Sequence, residues 1–135
     1  MLAERNCSAN LVQDTVHQLP YADAYFDLVV CFSVFEHLAD YATALREVRC
    51  VLAPGGRFLL GMPAINRTMV VLFEMIGRST INDIHVTPPR MIVRALEPNG
   101  FRISASHKLN VPFAPPFGLS LHYNWLLETA PVAVH

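Results

Sequence analysis

Two short apolar runs stand on either side of one amphipathic helix, and that arrangement constrains the chain more than any other feature. Phe26-Asp27-Leu28-Val29-Val30-Cys31 is apolar except at Asp27, and Arg57-Phe58-Leu59-Leu60-Gly61-Met62 is closed by Pro63. Continuous runs of this length suit strands buried on both faces. Between them, Asp40 is a good N-cap for a helix from about Tyr41 to Leu52. Ala44, Leu45, Val48, Val51 and Leu52 share one face of it, while Arg46, Glu47 and Arg49 mostly fall elsewhere. Pro54-Gly55-Gly56 then stops the chain hard.

The same alternation continues outward. Leu11-Val12-Gln13 is a short strand candidate ending at Asp14, and Pro20 makes Gln18 to Tyr21 a loop. Asn66 can cap a helix carrying Met69, Val70, Leu72, Phe73 and Ile76, with Gly77 after its end. Thr87 is expected to cap a further helix with Pro88 at its first position. Met91, Ile92, Ala95 and Leu96 give that helix its apolar face, and Pro98 with Gly100 ends it. Phe101 to Leu109 and Leu119 to Leu127 are the last strand candidates, joined by the Pro-rich stretch Pro112 to Gly118. Buried strands alternating with amphipathic helices predict a single α/β domain whose sheet is parallel in its centre, with an antiparallel hairpin at its C-terminal edge.

Composition removes several classes of function. The 135 residues carry a formal net charge of −1, with 10 Lys and Arg against 11 Asp and Glu, so there is no basic field for a nucleic acid. Hydrophobic residues make up 53%, too many for a disordered chain. The longest apolar stretch, Met69 to Ile76, is broken by Glu74 and falls far short of the roughly 20 residues of a bilayer span. Met1-Leu2-Ala3-Glu4-Arg5-Asn6 lacks the apolar core of a signal peptide. Cys7, Cys31 and Cys50 form no C-x-x-C pair, which suits reduced thiols in a cytoplasmic protein and gives no zinc site. Glu36, His37, Asp83 and His85 lack the tight spacing of a metal centre, so no metal is expected.

Three blocks stand in a fixed order. Asp14-Thr15-Val16-His17-Gln18-Leu19-Pro20 precedes Tyr25-Phe26-Asp27-Leu28-Val29-Val30-Cys31, then Val34-Phe35-Glu36-His37-Leu38, then Leu45-Arg46-Glu47-Val48 through Pro54-Gly55-Gly56-Arg57-Phe58-Leu59-Leu60. The ordered set resembles the middle and late motifs of class I S-adenosylmethionine-dependent methyltransferases, closest to the type 11 group. Asp83-Ile84-His85-Val86-Thr87-Pro88 and Gly100-Phe101-Arg102-Ile103 continue the likeness, which covers roughly residues 1–109. It implies a Rossmann-like sheet, S-adenosylmethionine as cofactor, and methyl transfer to a small-molecule or lipid-like acceptor.

The resemblance also assigns roles. Asp14 corresponds to the acidic residue that accepts a hydrogen bond from the adenine amino group, and the N–H of Thr15 to the group facing an adenine ring nitrogen. The plainer reading of Asp14 is that it opens a turn. Cys31, Phe32 and Ser33 lie where the family's chain passes the methionine end of the cofactor; Ser33 stands where an acidic residue is usual. Transfer from a sulfonium mainly needs in-line alignment and exclusion of water. A general base matters only when the nucleophile arrives protonated, and His37 and His85 are the candidates. His37 can equally pack or cap within a short helix. Met69 to Ile76 reads either as an ordinary core helix or as a lid over the acceptor.

The family signature opens with a strand and a glycine-rich turn, followed by an acidic residue for the ribose. No glycine precedes Gly55 here, so the chain is expected to start after the family's first two strands. In the family's strand order, 3-2-1-4-5-7-6, that leaves Leu11–Gln13 without neighbours and one edge of Phe26–Cys31 bare. A bare apolar edge invites pairing with a second copy or with a partner. The alternative to an enzyme is therefore a non-catalytic methyltransferase remnant that acts as an interaction subunit.

Overall fold

A computed structural model describes residues 8–64, 86–111 and 119–129. The first regular element is β1, Phe26–Phe32. A 3-10 turn, Phe35–His37, leads to helix α1, Tyr41–Val51, and α1 runs directly into β2, Leu52–Pro63. Helix α2 spans Pro89–Leu96, followed by a 3-10 turn at Glu97–Asn99, then β3, Phe101–Val111, and β4, Leu119–Thr129. The four strands form one sheet in the order β1-β2-β4-β3. β1 and β2 are parallel; β4 is antiparallel to both β2 and β3. The α/β class, the parallel pair and the antiparallel closing hairpin agree with the sequence reading.

Helix α1 starts where expected because the Asp40 carboxylate accepts the N–H of Thr43 at 3.1 Å. The Thr43 hydroxyl first, and then this N–H, favour the charged form and hold the Asp40 carboxyl below its ordinary value. Ala44, Leu45, Val48 and Val51 are buried, so the helix packs through its apolar face. Beneath it lie Phe58, Leu60 and Met62 of β2 and Trp125 and Leu127 of β4; Ile92 and Leu96 of α2 complete the same cluster. The Phe58 ring is its hub, 6.0 Å from Phe35 and 5.6 Å from Phe101, centroid to centroid.

Four local expectations need correction. Leu11–Gln13 is not a strand: Leu11 is 93% exposed, and a lone extended segment with no partner has no ladder to stabilise it. Only an isolated bridge between Thr15 and Gln18 occurs in that region. Pro54-Gly55-Gly56 does not break the chain but forms a bulge inside β2. Phe26 pairs with Leu52 and Leu28 with Arg57, so β2 holds the extra residues, and Gly55 absorbs the bend at φ 77°. Thr87 does not cap α2. Pro88 is the N-cap residue and makes no side-chain cap bond, Pro89 is the first helical residue, and the Thr87 hydroxyl donates to the Leu38 carbonyl instead, at 2.6 Å. Met91, placed on the apolar face of α2, is 41% exposed; Ile92 and Leu96 carry the packing. The expected helix after Asn66 and the Pro112–Gly118 loop lie outside the described residues.

Replacing the central ring, Phe58→Ala, removes its contacts with both Phe35 and Phe101. The expected loss is about 3–5 kcal/mol in urea unfolding. Tyr25→Ala, at a 65% exposed ring, is expected to cost far less.

Candidate functional site

The loop before β1 is tied to α1 at two points. The Leu19 N–H donates to Glu47 Oε2 at 3.0 Å, and His17 Nε2 lies 3.1 Å from the Asp40 carbonyl. These anchors position Asp14 and Thr15, both exposed. The Thr15 N–H donates to Asp14 Oδ1 at 2.8 Å, an Asx-type contact. Beside them is a cleft of about 210 Å³ with Val12, Val16, Leu19 and Tyr21 in its walls. Leu19 and Tyr21 also wall a second cleft, of about 250 Å³, which runs along β1 to Leu28 and Val30. Tyr21 packs edge-on against Phe26 at 4.8 Å, so the start of β1 braces the wall shared by the two clefts.

At the other end of β1 the chain turns sharply. Ser33 takes φ 54°, a left-handed conformation uncommon for a residue with a side chain. Its N–H donates to the Gly61 carbonyl at 3.0 Å, which ties the turn to β2. Phe32 is half-exposed and lies over Gly61; a methyl group at that glycine would overlap the Phe32 ring and press on His122. Cys31 is partly buried, and burial with the nearby Glu36 charge pushes its thiol up to about 11. It is therefore a neutral thiol near pH 7, not a nucleophile.

Glu36 is 1% exposed, and its Oε2 makes no hydrogen bond among the described residues. Its Oε1 is 3.7 Å from His37 Nε2, and the His37 side chain is 41% exposed. His37 ends the 3-10 turn after β1, at the carboxyl end of the parallel pair, where ligands of open α/β sheets sit. His85 lies outside the described residues. Among the described residues no group of His, Cys, Asp and Glu could hold a metal ion.

Comparison with known proteins supplies the context for this arrangement. A family model described as "Methyltransferase domain" matches residues 1–60. A "Probable S-adenosylmethionine-dependent methyltransferase" of Mycolicibacterium smegmatis is 50% identical over 89 residues, 64% of this chain and 32% of that protein. These findings support a likeness to the class I, type 11-like methyltransferases, carried by residues 1–60. A demethylmenaquinone methyltransferase of Deinococcus radiodurans is 51% identical over 43 residues, covering 32% of this chain and 18% of its own. The crystal structure of the YcgJ protein of Bacillus subtilis superposes with a TM-score of 0.65 at 17% identity, over 96% of this chain and 74% of that one, and so matches the fold. The chain spans less than half the length of the curated relatives it matches. The family's cofactor is S-adenosylmethionine.

The donor set fits one end of that cofactor. An exposed carboxylate beside a small apolar cleft suits a flat ring bearing an amino group. Thr15 offers its N–H only when the Asp14 carboxylate swings away from it, because the two are bonded to each other here. Cys31, Phe32 and Ser33 line neither of the two clefts. Two residues that shape the site lie inside the motif blocks without a role assigned from sequence: Glu47, which holds the Leu19 N–H, and Glu36, which is buried.

The raised thiol has a measurable consequence. Cys31 has a folded-state value of about 11 against an ordinary value of 9.0. The unfolded chain therefore loses its thiol proton first as pH rises. This contribution to stability is complete below pH 9 and is lost as pH climbs to about 11. Urea midpoints are expected to fall across that window, and the fall is expected to be smaller in Cys31→Ala.

Proposed function

We propose that this chain carries the adenine-binding and acceptor-facing part of an S-adenosylmethionine-dependent methyltransferase acting on a small-molecule or lipid-like acceptor. The observation that supports the reading is the Asp14 carboxylate held beside the cleft of Val12, Val16, Leu19 and Tyr21; the resemblance assigns this residue to adenine. Asp14 accepts from the adenine amino group, and the Thr15 N–H meets a ring nitrogen once Asp14 has turned. Cys31, Phe32 and Ser33 form the turn toward the methionine end, with Ser33 offering a hydroxyl where a carboxylate is usual. When bound, the cofactor supplies an activated methyl group on a sulfonium. His37 is the base for an acceptor that arrives protonated: it is exposed at the carboxyl end of β1 and has the Glu36 carboxylate behind it. The demethylmenaquinone methyltransferase among the relatives supports a ring-bearing, apolar acceptor.

Calorimetry with S-adenosylhomocysteine tests the cofactor reading. Micromolar binding is expected, weakened roughly tenfold or more in Asp14→Ala through loss of a charge-assisted hydrogen bond. Folded protein that binds nothing, or an Asp14→Ala variant that binds as well as the parent, overturns it.

A second reading, the interaction subunit, is favoured by one feature. β1 is an end strand of the sheet, and Leu28, Val30 and Phe32 are each about half-exposed along it. Of the devices that protect natural edges it has one outward charge, Asp27, and no lysine or proline. We propose that a second copy pairs along this edge. Sedimentation at micromolar concentration is expected to show a dimer that Val30→Lys dissociates; a monodisperse monomer of the parent chain rules the pairing out.

A further inference from the structure

One cavity belongs neither to the Asp14 cleft nor to the turn after β1. It is an open cleft of about 670 Å³ between α2 and β4, within the size range of small-molecule sites. Its floor and one wall are aromatic. Tyr123 and Trp125 stand two residues apart on the helix-facing side of β4, with centroids 5.8 Å apart and planes 16° from parallel. Trp125 is 6% exposed, so its ring is fixed by the core. The opposite wall is cationic. Arg90 and Arg94 are four residues apart on α2, hence on one face, and both line the cleft with Val93 between them. Neither has a carboxylate partner among the described residues. The first turn of α2 holds no acidic residue, so the positive end of the helix adds to their field. A third cation, Lys108 of β3, lies 5.4 Å from the centre of the Tyr123 ring.

This combination selects for two properties at once. A flat ring gains from the aromatic pair, and an oxyanion on it gains from a guanidinium fork that can accept it bidentately. A neutral ring leaves Arg90 and Arg94, side by side on one face and without a carboxylate partner among the described residues, with no anion to hold. An inorganic anion leaves the aromatic wall unused. We propose that the α2–β4 cleft binds a planar aromatic molecule carrying a carboxylate or phosphate, with its ring against Tyr123 and Trp125 and its anionic group on Arg90 and Arg94. The assignment stands on the cleft alone and does not depend on methyl transfer.

Trp125 is the only tryptophan in the chain, so one indole N–H resonance reports on this cleft. The test is titration of the labelled chain with 2-naphthoate, 2-naphthyl phosphate and the neutral 2-naphthylmethanol. Saturable shifts of the indole resonance are expected with one or both anions, at least tenfold tighter than with the alcohol. Whichever anion binds more tightly identifies the class, carboxylate or phosphate. The double variant Arg90→Ala, Arg94→Ala is expected to lose about tenfold or more of the anion affinity while keeping the parent's spectrum. Arg46→Ala, whose guanidinium bonds Thr43 on α1, is expected to bind as the parent does. If that double variant does not fold, Arg90→Gln alone and a salt titration of the parent replace it, with weaker binding expected in both. Equal affinity for anion and alcohol, an arginine variant that binds unchanged, or no saturation in any titration overturns the proposal.

Discussion

Everything else in this molecule hangs on β2, which pairs in parallel with β1 on one side and antiparallel with β4 on the other. Its alternate residues Phe58, Leu60 and Met62 lie at or near complete burial under α1 and α2. This requires a strand that begins at once after α1, with no loop in which to turn. The bulge at Pro54-Gly55-Gly56 solves that problem by taking up the surplus residues inside the strand. Once β2 is fixed, its register sets the neighbours: Cys31 lies beside Leu60, and Tyr123 beside Met62. The turn after β1 and the aromatic wall of the α2–β4 cleft are thus both placed at the carboxyl end of one strand.

The two faces of the sheet are unlike. The face under the helices is closed by apolar packing. On the other face, Arg57 stands in register with Glu128, and Glu128 with Arg102, which it meets at 3.0 Å. These exposed charges cluster where β2 begins its regular pairing. Toward β1 the same face turns apolar, with Leu28, Val30 and Phe32. Surface ion pairs of this kind contribute little stability, about 0–1 kcal/mol. Their consequence is that one part of the open face is suited to water, while the apolar part lies along β1 and not on the hairpin.

The elements legible in the sequence were those whose signal is periodic and whose partners lie in the same chain. Phe26–Cys31, the Asp40-capped helix and the closing hairpin were all readable, because burial, capping and pairing agree there. Leu11–Gln13 failed because a strand is a property of two segments, and no second segment pairs with it. The Thr87 cap failed because two consecutive prolines moved the helix start by one residue and freed the threonine hydroxyl for Leu38. Asp14 and Thr15 were found as a motif, yet the sequence did not show that they are bonded to each other. The α2–β4 cleft was invisible, because only the fold brings the two rings of β4 to the same cleft as Arg90 and Arg94.

Thr87 shows how closely these parts are joined. Its hydroxyl bonds the Leu38 carbonyl, and its N–H donates to the Glu36 carbonyl at 3.1 Å. The residue is 3% exposed, so both bonds are shielded from competing water. One side of this strap is the 3-10 turn that holds Glu36 and His37; the other is the Pro88-Pro89 start of α2, from which Arg90 projects. Two prolines make that start stiff, since each has a fixed φ. Thr87 thus ties the start of α2 to the turn that holds His37. The buried Glu36 carboxylate, with one oxygen unpaired among the described residues, sits at the inner end of this strap. Thr87 bonds the carbonyls of Glu36 and Leu38 and so fixes the backbone of the turn that carries this side chain.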